Sequence, residues 1–562
     1  MVKFKKAVRL LLARGPKAVY HRIKENHKER LRKKQVNYRL DKLHLISETE
    51  RERQKGKVFS REERFSILTP LYNTPASYLH EMIQSLQKQT YGNWELCLAN
   101  GSDEKHPEVD EICRQYMAID SRIKYRLLPE NRGISGNTNA CLGMATGSYF
   151  GLLDHDDVLH ESALYEMMCV IEETRADFLY TDEVKFVKDI TKISDIMFFN
   201  FKPNFGKDEL RSHNYICHFT MFSRALLEQE GGKYRSSFDG SQDHDMVLRL
   251  TEIAKRIVHI PKVLYYWRMH EDSVSMNLAT KMYAIDAAAA AIAEQLKRQD
   301  EPGIVRSIGP HQAMYRIQYE RQGNPLVSVI VYGSTKEEQL QESARRYRQQ
   351  TRYQEIEIIK LVVDFAKTGA IDMINQAALD AKGQYLMFIH GETKPLTENW
   401  LEELLMYAQR KDVACVGGKV RYQAPYICFA GLAVDGESKT QVKCICRDIG
   451  VDYAGYEAML THVRNTTAVW LGCMMIEKEK FLRLGGLFSS MGKLADVDLA
   501  LRGKEQGLWH VWLPFMEVEF FGADEDINYK VENPQSFTKR WQTELSKPDP
   551  FCHPVLKARN LV

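Results

Sequence analysis

No stretch of the 562-residue chain approaches ~18 apolar residues without a charge, which excludes a bilayer-crossing helix of the ordinary kind. Met1 to Tyr20 lacks the continuous apolar segment of a secretory signal, so the expected location is the cytoplasmic side. The 11 cysteines are odd in number and show no metal-ligand spacing; Cys444 and Cys446 have one residue between them. That removes a disulfide scaffold and a zinc finger, and predicts reduced thiols. Net charge of one sign is also scarce, at +3 overall. It is uneven, however. Residues 1–40 hold eight Lys and six Arg against Glu25 and Glu29, so the remaining 522 residues are acidic by nine charges. A basic arm on a mildly acidic body predicts an anionic partner for the arm alone. A nucleic-acid binder of this size is expected to carry its basic surface on a folded domain, so none is expected as partner.

What is present is a globular composition, 44% hydrophobic and 27% charged, which excludes a mostly disordered chain. The length asks for two large domains plus extensions. Residues 1–63 read as a basic helical extension. Phe4, Val8, Leu11 and Leu12 share one face among Lys3, Lys5, Lys6, Arg9 and Arg14, and Gly15-Pro16 breaks the pattern. Such a helix suits an anionic leaflet; the alternative is a solvated charged helix packed on its own protein. Globular sequence begins near Arg64. Phe65–Leu71 is an apolar run of β formers ended by Tyr72-Asn73-Thr74-Pro75, and a helical stretch, the strand Trp94–Ala99 and the loop Asn100-Gly101-Ser102-Asp103 follow. This alternation is the βαβ pattern of a largely parallel α/β sheet, whose ligands sit at the carboxyl ends of strands.

After an Ala-rich helix from about Ala279 to Arg298, Leu326–Tyr332 restarts with another apolar strand. Asn139, Ala145, Gly147 and Tyr149 recur as Asn375, Ala381, Gly383 and Tyr385, all offset by 236. Q-D-H-D-M-V-L-R at Gln242–Arg249 is answered by A-D-V-D-L-A-L-R at Ala495–Arg502. Two copies of one fold are the simplest account. The expected division is 1–63 extension, 64–325 first copy, 326–525 second copy and 526–562 C-terminal extension.

Three elements of the first copy carry chemistry. Leu152-Leu153-Asp154-His155-Asp156-Asp157 delivers three carboxylates directly after an apolar strand. Clustered carboxylates repel one another, and a hard divalent ion such as Mg²⁺ or Mn²⁺ suits them, with substrate phosphates completing the shell. The plain alternative is an acidic turn capping a helix. Asp243 and Asp245 head a helical stretch, where carboxylates also serve as ordinary capping. The third element, Tyr265-Tyr266-Trp267-Arg268-Met269-His270, follows an apolar strand; an imidazole and a guanidinium there suit a diphosphate or its metal.

In this order and spacing, the first copy resembles the family 2 glycosyltransferases of the GT-A fold, a Rossmann-like arrangement that binds nucleotide-diphosphate sugars. The likeness is greatest to bacterial tandem-domain enzymes of polysaccharide assembly. The matching stretches are Phe65–Asn73, Trp94–Ser102, Asn131–Asp157, Tyr180–Glu183, Asn214–His218, Gly240–Arg249 and Leu264–Ser275. The resemblance implies that Thr69, Pro70 and Tyr72 meet the nucleotide base. Asn100 replaces the family's base-reading aspartate, which leaves uracil and thymine both open. Arg132 and Asn139 fall in the segment leading to the metal strand and are expected, by the resemblance, among the donor-binding residues. Asp154 and Asp156 match the D-x-D motif, with Asp157 beside it. By the resemblance Asp154 faces the ribose, Asp156 holds the metal, and Asp243 is the catalytic base, preceded by Gln242 rather than the usual Glu. His270 matches a histidine that contacts metal or diphosphate.

The second copy reads His390-Gly391-Glu392 at the D-x-D position, and its histidine position falls near Phe520. A degenerate copy with a structural or acceptor-binding role is expected; the rival is a second active site with an altered metal shell. The expected activity is inverting, metal-dependent transfer of a sugar from a UDP or dTDP donor. The expected acceptor is a hydroxyl of a growing, polyprenyl-linked bacterial surface polysaccharide, at the inner face of the plasma membrane. One alternative is a sugar nucleotidyltransferase, which would show a Gly-rich basic loop where Thr69-Pro70-Leu71-Tyr72-Asn73 stands. The other is a non-catalytic glycan-binding scaffold.

Overall fold

The computed structural model describes residues 46–558 except positions 193–194, 270–281, 310, 334–335, 366–368, 424, 439, 524–526, 528 and 530–533. The basic arm over residues 1–40 and His270 therefore lie outside the described residues. No helix among the described residues is long and apolar enough to cross a membrane, and all 11 cysteines are free thiols.

The first sheet is built from β1 (Phe65–Leu71), β2 (Trp94–Asn100), β3 (Ile123–Leu127), β4 (Tyr149–Leu152), β5 (Val158–Leu159), β6 (Phe178–Phe186), β7 (Ile196–Asn200), β8 (Thr220–Ser223) and β9 (Ile257–Arg268). Its order is β3-β2-β1-β4-β8-β6-β9-β5, with β7 beside β6. All seven residues of β1 and of β2 are buried, because helices cover both faces of this parallel region and a near-continuous apolar strand satisfies both sides. A hairpin, β10 (Gly303–Ile308) and β11 (His311–Tyr319), follows the helix Met282–Arg298.

The second sheet contains β12 (Val327–Gly333), β13 (Ile356–Val362), β14 (Tyr385–His390), β15 (Thr393–Pro395), β16 (Val413–Tyr422) and β17 (Ile427–Phe429). A short pair, β18 (Leu432–Val434) and β19 (Val442–Cys444), intervenes; β20 (Arg464–Asn465), β21 (Cys473–Glu477) and β22 (Trp509–Phe520) then complete the large sheet. Its order is β13-β12-β14-β21-β16-β22-β15. That is the first sheet strand for strand without β3, and the parallel and antiparallel pairings match: β6 and β9 run parallel, as do β16 and β22, while β8 and β21 are antiparallel to their neighbours. Two tandem copies of one α/β fold are present, as the repeats imply.

The register explains the repeat offsets. Phe65 pairs Tyr149 as Val327 pairs Tyr385, so β1 and β12 differ by 262 positions whereas β4 and β14 differ by 236. The missing 26 residues correspond to the helix Pro107–Ile119 and β3, which have no counterpart. The copies also share small buried staples. The Ser66 hydroxyl donates to Glu95 and accepts from Gly147 N at 2.8 Å; Ser328 does the same between Glu357 and Gly383 N, again at 2.8 Å.

The two copies bury apolar side chains in one continuous core that includes Leu210, Tyr319, Tyr407 and Val463. Across the junction, Asp208 receives Asn465 Nδ2 at 2.9 Å and its backbone N–H donates to Asn465 Oδ1 at 2.8 Å. Arg410 pairs with the same Asp208. The C-terminal segment returns to the first sheet, where His553 Nε2 lies 3.0 Å from Asp182 and the His553 ring stacks on Phe201 at 4.9 Å.

Candidate active site

A cleft of about 1090 Å³ opens at the carboxyl ends of the first sheet's strands. Leu152-Leu153-Asp154-His155-Asp156 enters it from the end of β4, and Gly240-Ser241-Gln242-Asp243 from the start of the helix Gln242–Ile253. Gly240 is needed in that turn: its φ is +92°, and a Cβ there would stand 2.6 Å from the Tyr283 ring. The turn is closed by Gly240 N–H donating to Gln242 Oε1 at 2.9 Å.

Asp243 is oriented on both oxygens. Asn214 Nδ2 donates to Oδ2 at 3.0 Å, and the His244 N–H donates to Oδ1 at 2.8 Å. Its neighbour Asp245 is buried and paired with Arg235 and Arg249. The second copy repeats that pair as Asp498 with Arg502 at 2.8 Å. The second aspartate of each D-x-D-x-x-x-R segment is thus part of the scaffold, and only Asp243 faces the cleft.

The carboxylates after β4 divide into two kinds. Asp157 is 1% exposed; Tyr265 Oη donates to it at 2.6 Å and Arg268 N–H at 2.7 Å. Burial, and next the charges of Asp156 and Asp154, push the Asp157 carboxyl well above its usual value. Half of the Asp154 side chain is open to the cleft. Its carboxyl is also raised, by desolvation against the opposing pull of His218, with Asp156 and Asp243 adding to the rise; the solvent reaching it moderates that shift. Asp154, Asp157 and His218 bring one ligand atom each within 4.8 Å of one another. Oxygen donors that raise each other's proton affinity, with an imidazole beside them, fit a divalent cation. The His218 ring is fixed by stacking on Tyr265 at 4.7 Å and by edge contact with Trp267 at 5.0 Å.

Other residues marked in the sequence behave differently. Pro70 lines the cleft, whereas Thr69 is buried in β1 and Tyr72 is 46% exposed beyond its end. Arg132 is exposed at the start of the helix Gly133–Leu142. Asn100, expected to read a base, ends β2 rather than opening a loop and is 1% exposed. Its amide donates to Tyr125 Oη at 3.1 Å and accepts from Ser102 N–H at 2.9 Å, so it ties the end of β2 to β3 and to the loop that follows. Asn139, expected near the donor, binds the Tyr234 backbone with both ends of its amide, at 2.8 and 2.9 Å. Asn375 does the same to Leu487, at 2.6 and 2.9 Å. The repeated asparagine is therefore a clamp common to both copies. Arg268, expected to reach a diphosphate, is 2% exposed and its Nε donates to the Asp156 carbonyl at 2.7 Å; it holds the acidic turn from behind. His218 and Asn214 were missed as individual site residues, although the segment Asn214–His218 stood out as a motif.

The second copy is closed at the equivalent place. Among the described residues, about 40 Å³ remains there, bounded by His390, Trp470, Asp496 and Tyr529 among others. Trp470 stacks on His390 and Phe429. Asp496, the counterpart of Asp243, accepts from Tyr529 Oη at 2.7 Å, Leu471 N–H at 3.0 Å and Val497 N–H at 2.8 Å. Conversely, Tyr456, Glu457, Met459, Arg464, Phe551, His553 and Leu556 from the second half form a wall of the first copy's cleft.

Residues 66–231 match the family model described as glycosyl transferase family 2. An uncharacterised protein of Sinorhizobium fredii is 32% identical over 504 residues, which are 84% of this chain and 54% of that protein. The O-antigen biosynthesis protein RfbC of Myxococcus xanthus is 29% identical over 480 residues, 80% of this chain and 36% of that one. The chain thus spans about half or less of these relatives' length. Among solved structures, S. aureus TarS 1–349 in complex with UDP is 19% identical, covers 42% of this chain and 71% of its own, and superposes with a TM-score of 0.32.

Proposed function

We propose that the chain is a glycosyltransferase that transfers one sugar with inversion, a reading supported by the match of residues 66–231 to the family model described as glycosyl transferase family 2 and by relatives named for O-antigen biosynthesis and chondroitin synthesis. The donor is a UDP- or dTDP-sugar and the acceptor a hydroxyl of a growing, polyprenyl-linked surface polysaccharide. The observation that carries this reading is the opening of Asp243 and the Asp154–Asp156 turn onto one cleft.

Asp243 takes the proton from the acceptor hydroxyl, whose own pKa is far too high for it to ionise in water. Asn214 and the His244 N–H hold the carboxylate in place on both oxygens. With the base on one side of the anomeric carbon and the diphosphate on the other, attack is in line and no enzyme nucleophile is needed. Asp154, Asp156, Asp157 and His218 would hold Mn²⁺ or Mg²⁺, which when bound neutralises charge on the departing diphosphate. Arg268 and Tyr265 keep the acidic turn in register. The second copy has a structural role and walls the acceptor side of the cleft, a reading supported by its filled pocket and by Tyr456, Glu457 and Arg464 lining the first cleft. The basic arm, with its fourteen Lys and Arg over residues 1–40, suits attachment to an anionic leaflet.

The test is a donor-hydrolysis screen with Mn²⁺ or Mg²⁺ across UDP-, dTDP- and GDP-sugars, run on the wild type and Asp156→Ala. Nucleoside diphosphate release from one donor, lost in the variant, is expected. No hydrolysis together with no donor-dependent thermal shift overturns the reading.

A further inference from the structure

A second group of ligating side chains sits at the junction of the two copies, separate from the acidic turn. Glu209 lies in the short helix Lys207–Ser212 and His213 caps its end, four residues on, so both project toward the same side. His462 comes from the other copy, two residues before β20, the strand that packs on this helix. One carboxylate oxygen of Glu209 and one nitrogen of each imidazole lie within 4.8 Å of one another. The two imidazole rings are 4.5 Å apart at 67°.

The two imidazoles lack partners that buried polar atoms normally have. His462 is fully buried, and among the described residues neither of its nitrogens has a hydrogen-bond partner; nor does Nε2 of His213. His462 Nε2 approaches Glu209 Oε1 only to 3.7 Å, beyond hydrogen-bonding range. A neutral imidazole is the form that binds metal. Glu209 and His213 also line the large cleft, which gives an ion a way in and leaves room for a water as fourth ligand.

We propose that Glu209, His213 and His462 form an inter-domain site for a divalent transition-metal ion of the zinc type. Two nitrogens and one oxygen favour such an ion over Mg²⁺, which prefers oxygen alone. Ligands around tetrahedral zinc at about 2.0–2.1 Å stand roughly 3.3 Å from each other, so binding draws these side chains together by about an ångström. The ion ties the second copy to the wall of the first copy's cleft. This site does not depend on the identity of the transferred sugar or on the carboxylates after β4.

The test uses the untagged full-length chain, stripped with a chelator and then titrated with Zn²⁺ or Co²⁺. Bound metal is read by elemental analysis, by the visible absorption of Co²⁺ and by thermal melting. The wild type and Asp156→Ala are each expected to retain one equivalent of zinc through dialysis. Glu209→Gln and His462→Gln are expected to bind it at least about 100-fold more weakly, since even outer partners of a metal site are worth 10–100-fold. Where His462→Gln fails to fold, Glu209→Gln alone decides. Absence of retained zinc in the wild type, or equal retention by the Glu209→Gln protein, overturns the assignment.

Discussion

Replacing Arg410 by Met tests whether buried charge holds the two copies together. The side chains of Arg410 and Asp208 are 4% and 2% exposed and pair across the junction. Arg410 also bonds Asp412 at 2.9 Å and the Tyr319 hydroxyl at 3.3 Å. Neither of these is stranded by the substitution. Asp412 keeps Lys207 at 2.8 Å, and Tyr319 keeps Arg211 at 2.9 Å. Among the described residues, Asp208 keeps one side-chain hydrogen bond, from the neutral Asn465 amide at 2.9 Å, and the attraction of the buried Arg211 guanidinium without a direct bond. The cost is therefore a buried carboxylate that loses its direct ion pair, about 3 kcal/mol, at the lower end of the range for broken buried pairs. Adding Asp208→Asn removes that charge, and the double variant is expected to lose less than about 2 kcal/mol. Urea unfolding followed by tryptophan fluorescence measures this, with Trp94 and Trp267 in the first sheet and Trp512 in the second. Two domains need not unfold in one step, so each transition is read separately. A loss below about 1 kcal/mol for Arg410→Met, or a double variant no more stable than the single one, refutes the charge argument.

Asp243→Asn is expected to lower turnover by about 10²–10⁴-fold, the usual contribution of a general base, while donor affinity by calorimetry stays within a few-fold; loss of donor binding contradicts the assigned role. Burial pushes the Asp496 carboxyl up to about 6, above its unfolded value, so the stability it contributes is present below pH ~4 and is lost as pH rises through 6. Asp496→Asn should flatten that decline, on the order of 2 kcal/mol, in denaturant midpoints compared between pH 4.5 and 7; an unchanged slope argues against it. Asn139→Ala and Asn375→Ala should each destabilise by about 1–3 kcal/mol by orphaning the clamped backbone groups, with donor affinity unaltered in both; a donor-binding defect confined to Asn139→Ala would return that residue to the ligand.

Much of the fold was legible in the sequence because its signals are local. Phe65–Leu71 reads as an apolar strand, and it is one, with all seven residues buried. The repeat at 236 marks β4 and β14, and the restart at Leu326 marks β12 within one residue. The strand-end carboxylates were visible because the apolar run Tyr149–Leu153 stops at Asp154, and β4 ends one residue inside that run, at Leu152. The resemblance put Asn139 among the donor-binding residues, and the fold adds a role that no local pattern shows: it clamps the Tyr234 backbone, as Asn375 clamps Leu487 in the second copy.

What the tertiary structure alone decided is which polar groups are already satisfied. Asn100 and Tyr125 lie 25 positions apart, Asp157 and Tyr265 108, Arg268 and Asp156 112. No local pattern encodes these pairings, yet they separate the residues that hold the acidic turn from those that face the cleft. The same holds for Tyr529, which closes the second copy through Asp496, and for His462, which meets Glu209 and His213 from the other copy. Strand identity follows from the side chains of a few neighbouring residues. The free or engaged state of a carboxylate or imidazole follows from partners the chain delivers only when it is folded.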